Sequence, residues 1–423
     1  MTLIKTSLIN AIAVGVRILS LLGINKLLAL YVGPAGYAAL GQFQNAVTMI
    51  TTFASGALNS GVVKYTAEYY QDEEKQRAVW QTAGTIACIG SVFTSLLIVL
   101  FRKPLTSWFL HDEVYSSVFL WFAASLLLFV FNALFLAIMN GKKEIKRYVA
   151  ANIAGSLLAL LITSILVINS GLYGALVALA VFQSVAFFVS LFICSRATWF
   201  RLTYVIGKFD KQIARDLAKF TLMALTSAVC IPVSHLFIRH HLGVTIGWDA
   251  AGYWEAIWRF SAAYLLLITT TLSIYYLPRL SELNDPLALK KEIMQGYKII
   301  LPAVTLAALL IYLLRDLIIN LLFSPEFYPA RVLFLGQAVG DILKIGSWVL
   351  AYTMLSKAMT KYFILTEILF SISLYFTVVL MTNCWGLQAA TWAYALNYLI
   401  YWIVMYFLIF NNLESDLVLC SQS

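Results

Sequence analysis

Two pairs of opposite charges lie within apolar stretches of this 423-residue chain, at spacings that place both members on one helix face. Glu255 and Arg259 are four residues apart, and Asp341 and Lys344 are three apart. A carboxylate there can exchange a proton or bind a cation, while the basic group can hold an anion such as phosphate. The alternative for either pair is an ion pair that only lowers the cost of membrane insertion. Asp341 and Lys344 fall near mid-membrane, so we expect them to be the functional pair.

Three further polar residues lie in apolar stretches of the N-terminal half. Arg17 is close to the middle of the first stretch, and Lys26 is about 13 Å further along the same helix. The two fall on roughly opposite faces, so we expect one to serve a polar cavity and the other to serve packing or to snorkel. Asn45 begins a stripe with 3-4-3-4 spacing, which predicts a helix face turned to water or to other helices. The stripe is Asn45, Thr48, Thr52, Ser55 and Asn59.

Apolar runs of about 20 residues carry these groups, and each run is long enough to cross a membrane as a helix. The composition agrees, with 61% hydrophobic residues, 12% charged residues and a mean hydropathy of +0.85. We predict an all-α polytopic membrane protein with about twelve spans. They lie near 8–31, 37–62, 81–101, 115–140, 149–169, 172–195, 217–239, 251–278, 297–315, 331–355, 362–382 and 387–410.

The second half of the chain repeats the first. Ala35-Gly36-Tyr37 recurs as Ala251-Gly252-Tyr253, the basic turn at 141–148 as 356–362, and Tyr173-Gly174 as Trp385-Gly386. Six spans per half make the repeats parallel, with a substrate path between the lobes around a central cavity. We predict an N-terminal lobe at 1–195, a cytoplasmic linker at 196–216, a C-terminal lobe at 217–410 and a cytoplasmic tail at 411–423. The candidate path residues are Arg17, Lys26, Asn45, Glu255, Arg259, Asp341 and Lys344, with Asp341 and Glu255 as candidates for ion coupling.

Basic residues in the loops indicate the orientation. About 19 Lys and Arg residues fall in the loops on the side of the N-terminus, against about four on the other side. The four are Arg102, Lys103, Arg239 and Arg315. Both termini are therefore expected in the cytoplasm. Topology also explains the net charge of +9, so no nucleic-acid partner is expected.

Other chemistry has little support in the sequence. The five cysteines and four histidines lack metal-ligand spacing, so we expect no metal and no cofactor. Trp254 and Trp258 are expected to anchor a helix at the membrane interface, or alternatively to stack on sugar rings.

Three segments resemble Wzx-type flippases of the polysaccharide transporter family, within the multidrug/oligosaccharidyl-lipid/polysaccharide exporter superfamily. They are residues 26–36 (KLLALYVGPAG), 219–225 (KFTLMAL) and 340–344 (GDILK). The likeness to the O-antigen and enterobacterial common antigen (lipid III) translocases covers essentially the full chain. Under this resemblance Asp341 and Lys344 match the charged pair of the tenth helix. Lys26 matches the basic residue before Gly-Pro-x-Gly.

The resemblance implies movement of an undecaprenyl-diphosphate-linked oligosaccharide, an O-antigen unit or lipid III, to the periplasmic leaflet of the bacterial inner membrane. It implies alternating access, coupling to a proton or sodium ion, and no enzymatic activity. An O-antigen polymerase and a chain-length regulator would be partners. The four candidate cations exceed the two candidate acids by two, which matches a diphosphate diester, while the polyprenyl tail stays among membrane lipids.

Two other functions remain open. A multidrug antiporter of the same superfamily would have an acid-rich aromatic cavity with little cationic surplus, contrary to Arg17 and Arg259. A membrane-bound O-antigen polymerase or glycosyltransferase would need a sizeable outer loop, whereas the outer loops here have about 15 residues or fewer.

Overall fold

The chain folds as helices, because within lipid a helix satisfies every backbone polar group internally. A computed structural model describes the backbone of residues 3–283, 285–357 and 359–421. Side chains are described over the same ranges except at 3–11, 219, 220, 223, 274, 275, 277, 278 and 411–421. All regular structure in the described ranges is helical, which confirms the all-α fold class. The side chains of the predicted tail, 411–423, lie outside the described part.

The described α-helices follow one another with short connections. In chain order they are α1 (Leu3–Tyr31), α2 (Gly33–Ala54), α3 (Asn59–Glu68), α4 (Glu73–Leu100), α5 (Arg102–Phe109), α6 (Ser116–Gly141), α7 (Ile145–Ser195), α8 (Lys211–Thr245), α9 (Trp248–Thr271), α10 (Leu277–Glu282), α11 (Pro286–Leu313), α12 (Arg315–Leu322), α13 (Phe334–Ser356), α14 (Thr360–Trp385) and α15 (Ala389–Ser421). Short 3₁₀-helices occur at Glu113–Tyr115, Leu202–Tyr204 and Pro325–Leu333, and a π-helix at Leu272–Tyr276.

Eight of the described helices are long and apolar enough to cross a membrane, and the bent pair α2–α3 makes a ninth. α7 has 51 residues, which at 1.5 Å per residue is more than twice the ~30 Å of a hydrocarbon core. Its backbone leaves helical geometry at Ser170 and Gly171, so α7 is two helices joined at this break. The protein is therefore a multi-pass membrane protein. These nine spans become twelve if the two halves of α7 are counted separately and α8 and α9 are added. The total of twelve spans stays a prediction.

The chain forms two compact units, residues 1–232 (unit 1) and 233–423 (unit 2). The division falls at Pro232 inside α8, where the missing N–H and the ring interrupt the regular helix. The predicted lobes place the division earlier, around residues 196–216, and stay a prediction. In the described segment between α7 and α8, the regular structure is the single 3₁₀ turn Leu202–Tyr204.

The two units contain the same local backbone at positions 215 residues apart. Glu144 precedes α7 with φ/ψ of −80°/59°, and Met359 precedes α14 with −75°/58°. Gly171 and Gly386 share a positive φ of 52° and 68° at this same offset. A positive φ favours glycine, so the structure pairs Gly171 with Gly386 and corrects the sequence match of Gly174 with Gly386 by three residues. The duplication is thus present in the turns as well as in the sequence.

Residues 196–210, which we call the linker segment, are docked onto unit 1. The rings of Trp199 and Trp80 lie 5.6 Å apart, which fixes the start of the segment against α4. Val205 is fully buried, and its carbonyl oxygen lies against Gly84 of α4. A Cβ at position 84 would come within 1.8 Å of that oxygen, so the close approach requires glycine.

We expect Gly84→Ala to loosen the linker segment, because the new methyl group must displace the backbone of Val205. Overpacking of this kind costs about 1–3 kcal/mol. Limited trypsin digestion of the purified protein should then show faster cleavage after Arg201. Gly155→Ala is the matched control, because its Cβ would meet Ala186 at 3.7 Å, an ordinary contact. Equal cleavage rates for the two variants would argue against a docked segment.

Candidate substrate-translocation site

The Asp341 carboxylate is fully buried on α13 and accepts hydrogen bonds from four neutral donors. Ser261 Oγ donates to Oδ2 at 2.6 Å, and Tyr394 OH donates to Oδ1 at 2.8 Å. Gln337 Nε2 donates to Oδ1 at 3.1 Å, and Tyr264 OH donates to Oδ2. Helices α9, α13 and α15 supply these donors, so three helices converge on one carboxylate. Four donors can hold its charge inside an apolar unit.

Lys344, less than one helical turn further along, is held by aromatic rings. Its Nζ lies 4.9 Å from the ring centroid of Trp258, 4.9 Å from that of Trp348 and 5.8 Å from that of Tyr398. Cation–π contacts contribute about 0.5–2 kcal/mol each and leave the cation charged. The expected ion pair with Asp341 is not among the ion pairs within 4.0 Å in the described part of the chain. The two groups therefore have separate direct partners, and the expected ion pair is not observed as a direct contact between them.

Glu255 on α9 lies between two arginines. Arg259 Nε donates to Glu255 Oε1 at 2.7 Å, and Arg239 Nη1 of α8 donates to Oε2. The side chains of Arg239 and Glu255 are 1% and 5% exposed, and that of Arg259 is 15% exposed. The expected meeting of Glu255 with Arg259 is thus observed, within a larger trio. The trio has a net charge of +1, and its most exposed member is Arg259.

Sequence reasoning missed Arg239 as a site residue. The prediction that it belongs to an outer loop is wrong, because α8 continues beyond it to Thr245 and buries it. The sequence contains one indication of its position. His235 and Arg239 are four residues apart, so a helix that continues through both places them on one face. Both side chains are buried in unit 2.

Aromatic rings connect the two charged groups within unit 2. Trp258, next to Arg259 in sequence, contacts Lys344, and its ring centroid lies 5.1 Å from that of Tyr394. Trp254 stacks on Trp258 at 5.6 Å, and the His235 ring packs edge-on against both indoles. Trp254 is only 2% exposed. Its expected roles as an interface anchor or a sugar-stacking ring are therefore both wrong, because its faces are occupied inside the protein.

Arg17, Lys26 and Asn45 lie in unit 1, each in its own surroundings. Arg17 is exposed on α1, and Lys26 is half-buried on the same helix. Asn45 Nδ2 donates to the Pro232 carbonyl of α8 at 2.9 Å, so this member of the polar stripe contacts another helix as expected. Thr48, the next member, is exposed. Contact of these residues with substrate stays a prediction.

We expect Glu255→Gln to destabilise the protein, because two guanidinium groups would remain buried around a neutral amide. Removing one member of a buried ionic group costs about 3–5 kcal/mol. The measurement is the midpoint of thermal unfolding in detergent, which should fall. Glu282→Gln is the control, since Glu282 pairs with Arg279 at 3.6 Å on the surface and is 70% exposed. Such a pair contributes about 0–1 kcal/mol. An unchanged midpoint for Glu255→Gln would show that the trio has no structural role.

The chain has two charged groups, Asp341 and Lys344, inside a helix that is long and apolar enough to cross a membrane, a pattern typical of membrane transporters. Its fold is shared with the multidrug/oligosaccharidyl-lipid/polysaccharide exporter superfamily. An inward-facing multidrug resistance MATE family transporter aligns with a TM-score of 0.74 at 17% identity, over 94% of each chain. A superfamily transporter from Pyrococcus furiosus, described as having a binding pocket of reversed polarity, aligns with a TM-score of 0.65 at 15% identity, over 95% of this chain and 96% of that one. At these identities the likeness concerns the fold alone.

The chain belongs to the polysaccharide biosynthesis protein family, whose profile matches residues 3–284. It is 32% identical over 406 residues to two proteins named lipid III flippase, from Escherichia coli (strain K12) and Shigella flexneri. Each alignment covers 95% of this chain and 96% of the relative.

Proposed function

We propose that this protein translocates an undecaprenyl-diphosphate-linked oligosaccharide from the cytoplasmic to the periplasmic leaflet of the inner membrane. The cargo is an O-antigen unit or lipid III. Relatives named lipid III flippase, similar over nearly the full chain, support this assignment. The observation that carries it is Lys344, a half-buried ammonium group held by aromatic rings in a membrane-crossing helix.

The aromatic contacts of Lys344 leave its ammonium group able to bind an anionic cargo and then release it. Rings compensate part of the cost of burying the ammonium without neutralising its charge, so a diphosphate still gains from approaching it. A carboxylate partner would have to be displaced first. Arg259, bound through Nε to Glu255, adds a second cation of limited exposure in the same unit. Within unit 2, the three cations Arg239, Arg259 and Lys344 exceed the two acids Glu255 and Asp341 by one positive charge.

Asp341 is the better candidate for coupling to an ion gradient. Glu255 accepts hydrogen bonds from two arginines, so its carboxylate is already committed to offsetting their charges. Asp341 has neutral donors, and a proton or a sodium ion can replace some of those hydrogen bonds. We assign ion coupling to Asp341 and a structural role to Glu255.

From the positive charges in the loops we infer that both termini are in the cytoplasm of a bacterial cell, and we propose that the protein works by alternating access across the inner membrane. An O-antigen polymerase and a chain-length regulator would then act on the delivered glycan. The same topology places the linker segment at the cytoplasmic surface.

Complementation tests the proposal directly. The chain is expressed in a bacterium that lacks its own O-unit and lipid III flippases, with either donor glycan supplied in separate strains. Restored polymerised O chains on surface lipopolysaccharide, or restored surface enterobacterial common antigen, is the expected result. An empty vector gives the baseline. Failure with both donors, together with gained drug resistance, would overturn the proposal in favour of a multidrug antiporter.

A further inference from the structure

An apolar groove of about 450 Å³ lies in unit 1 where α7 meets the linker segment. Phe188, Leu191 and Phe192 of α7 line one side, and Phe200 and Arg201 of the linker segment line the other. Phe188 and Phe192 are each 58% exposed, so the groove opens outward along α7. A groove with apolar walls and a basic residue at one end has the shape and chemistry to take an acyl chain with a charged head.

The basic end of the groove carries positive charge that other groups do not offset. Arg196 lies 4.8 Å above the ring of Phe192, and both Arg196 and Arg201 are exposed. Among the described residues neither arginine forms an ion pair. Arg147 beside them is different, since it pairs with Glu144 at 2.8 Å and donates to the Arg196 carbonyl at 3.4 Å. Two positive charges therefore remain at this end of the groove, that of Arg201 in the lining and that of Arg196 beside the lining residue Phe192.

The linker segment itself has the surface of a membrane-interface element. Leu202, Ile206 and Phe209 are 59%, 52% and 52% exposed, although the docking of Val205 holds the segment in place. Lys208 lies between the last two. Basic residues next to exposed large apolar side chains are typical of elements that lie in the headgroup region. This surface consists mostly of residues outside the groove, and it also indicates that the linker segment lies in the headgroup region of the membrane.

We infer that the groove binds an anionic phospholipid of the cytoplasmic leaflet. One acyl chain lies along Phe188, Leu191 and Phe192, and the phosphate lies between Arg196 and Arg201. The leaflet follows from the proposed orientation, whereas the groove and its charge do not depend on the transported cargo. Basic pockets on the cytoplasmic side of membrane helices bind anionic head groups in this way. The bound lipid would fill the gap between α7 and the docked linker segment.

Native mass spectrometry of the purified full chain tests the inference, with equal amounts of phosphatidylglycerol and phosphatidylcholine carrying the same acyl chains. Wild-type protein should retain phosphatidylglycerol in preference. Each basic residue near an anionic surface contributes about fivefold in affinity, so Arg196→Gln/Arg201→Gln should reduce retention about 30-fold. Lys208→Gln/Lys211→Gln removes the same charge from neighbouring positions outside the groove and should change retention little.

A third variant tests the groove rather than the charge. Ser195→Trp places an indole among the lining residues and should displace phosphatidylglycerol with both arginines intact. Equal losses from the two charge-removing variants would overturn the inference, because surface charge in general would then explain the binding. Undiminished retention by Ser195→Trp would overturn it as well. Elution of each variant as a monodisperse peak confirms that all are folded.

Discussion

Replacing Lys344 with alanine is expected to abolish glycan export while the protein still inserts at normal levels. The substitution removes the ammonium group that three aromatic rings hold within unit 2. Hydrogen bonds to a charged group contribute about 1.5–3 kcal/mol, so the affinity for a diphosphate should fall roughly 10- to 150-fold. The measurement is surface O chain in the complementation strain, normalised to the amount of protein in the membrane.

Two variants separate the charge from the fold. Lys344→Arg keeps a cation among the same rings and should retain part of the export. Lys298→Ala removes an exposed lysine of α11 and should leave export unchanged. Normal export by the Lys344→Ala protein at equal expression would remove this residue from the mechanism and leave Arg259 as the candidate anion-binding group of unit 2.

The helical fold could be predicted from sequence because apolar runs, basic loops and internal repeats each report directly on a membrane helix. The partners of the buried charges could not. Spacing along one helix predicted that Asp341 would pair with Lys344, whereas Ser261 and Tyr394 come from other helices and bind the carboxylate instead. Arg239 is a similar case, because a charge close to the end of a predicted span is indistinguishable by sequence from a charge in the adjoining loop. Sequence spacing does not identify neighbours contributed by distant helices.

The two repeats have different side chains between equivalent helices, which are α6 and α7 in unit 1 and α13 and α15 in unit 2. At the offset of 215 residues, Asp341 and Lys344 correspond to Leu126 and Phe129 of α6, so this pair of charges has no charged counterpart in unit 1. Neutral groups lie in the corresponding interface of unit 1. Asn132 Nδ2 donates to Gln183 Oε1 at 2.6 Å, and Ser190 Oγ donates to Asn132 Oδ1 at 2.6 Å. The two units therefore share a local backbone but differ in the interior of this helix pair, which is neutral in unit 1 and charged in unit 2.

This asymmetry makes Asp341 the most direct test of ion coupling, and Asp341→Asn is expected to remove the dependence of transport on an ion gradient. An asparagine is neutral like a protonated aspartate, so it holds the site in one state of a cycle that needs two. The hydroxyl groups of Ser261, Tyr264 and Tyr394 can turn to accept as well as donate. The substitution should therefore cost only about 1–3 kcal/mol of stability. The measurement is flux of lipid-linked glycan in proteoliposomes under an imposed proton or sodium gradient.

Tyr394→Phe is the matched control for the loss of a hydrogen bond at this carboxylate. It removes one donor but keeps the acid, so flux should fall and still respond to the gradient. If Asp341→Asn shows flux that rises with the gradient as in the wild type, Asp341 is not the coupling group. Glu255, the other predicted acid, would then be the next candidate to test, in its place between two arginines. Flux that is low and unchanged by either gradient would assign the coupling to Asp341.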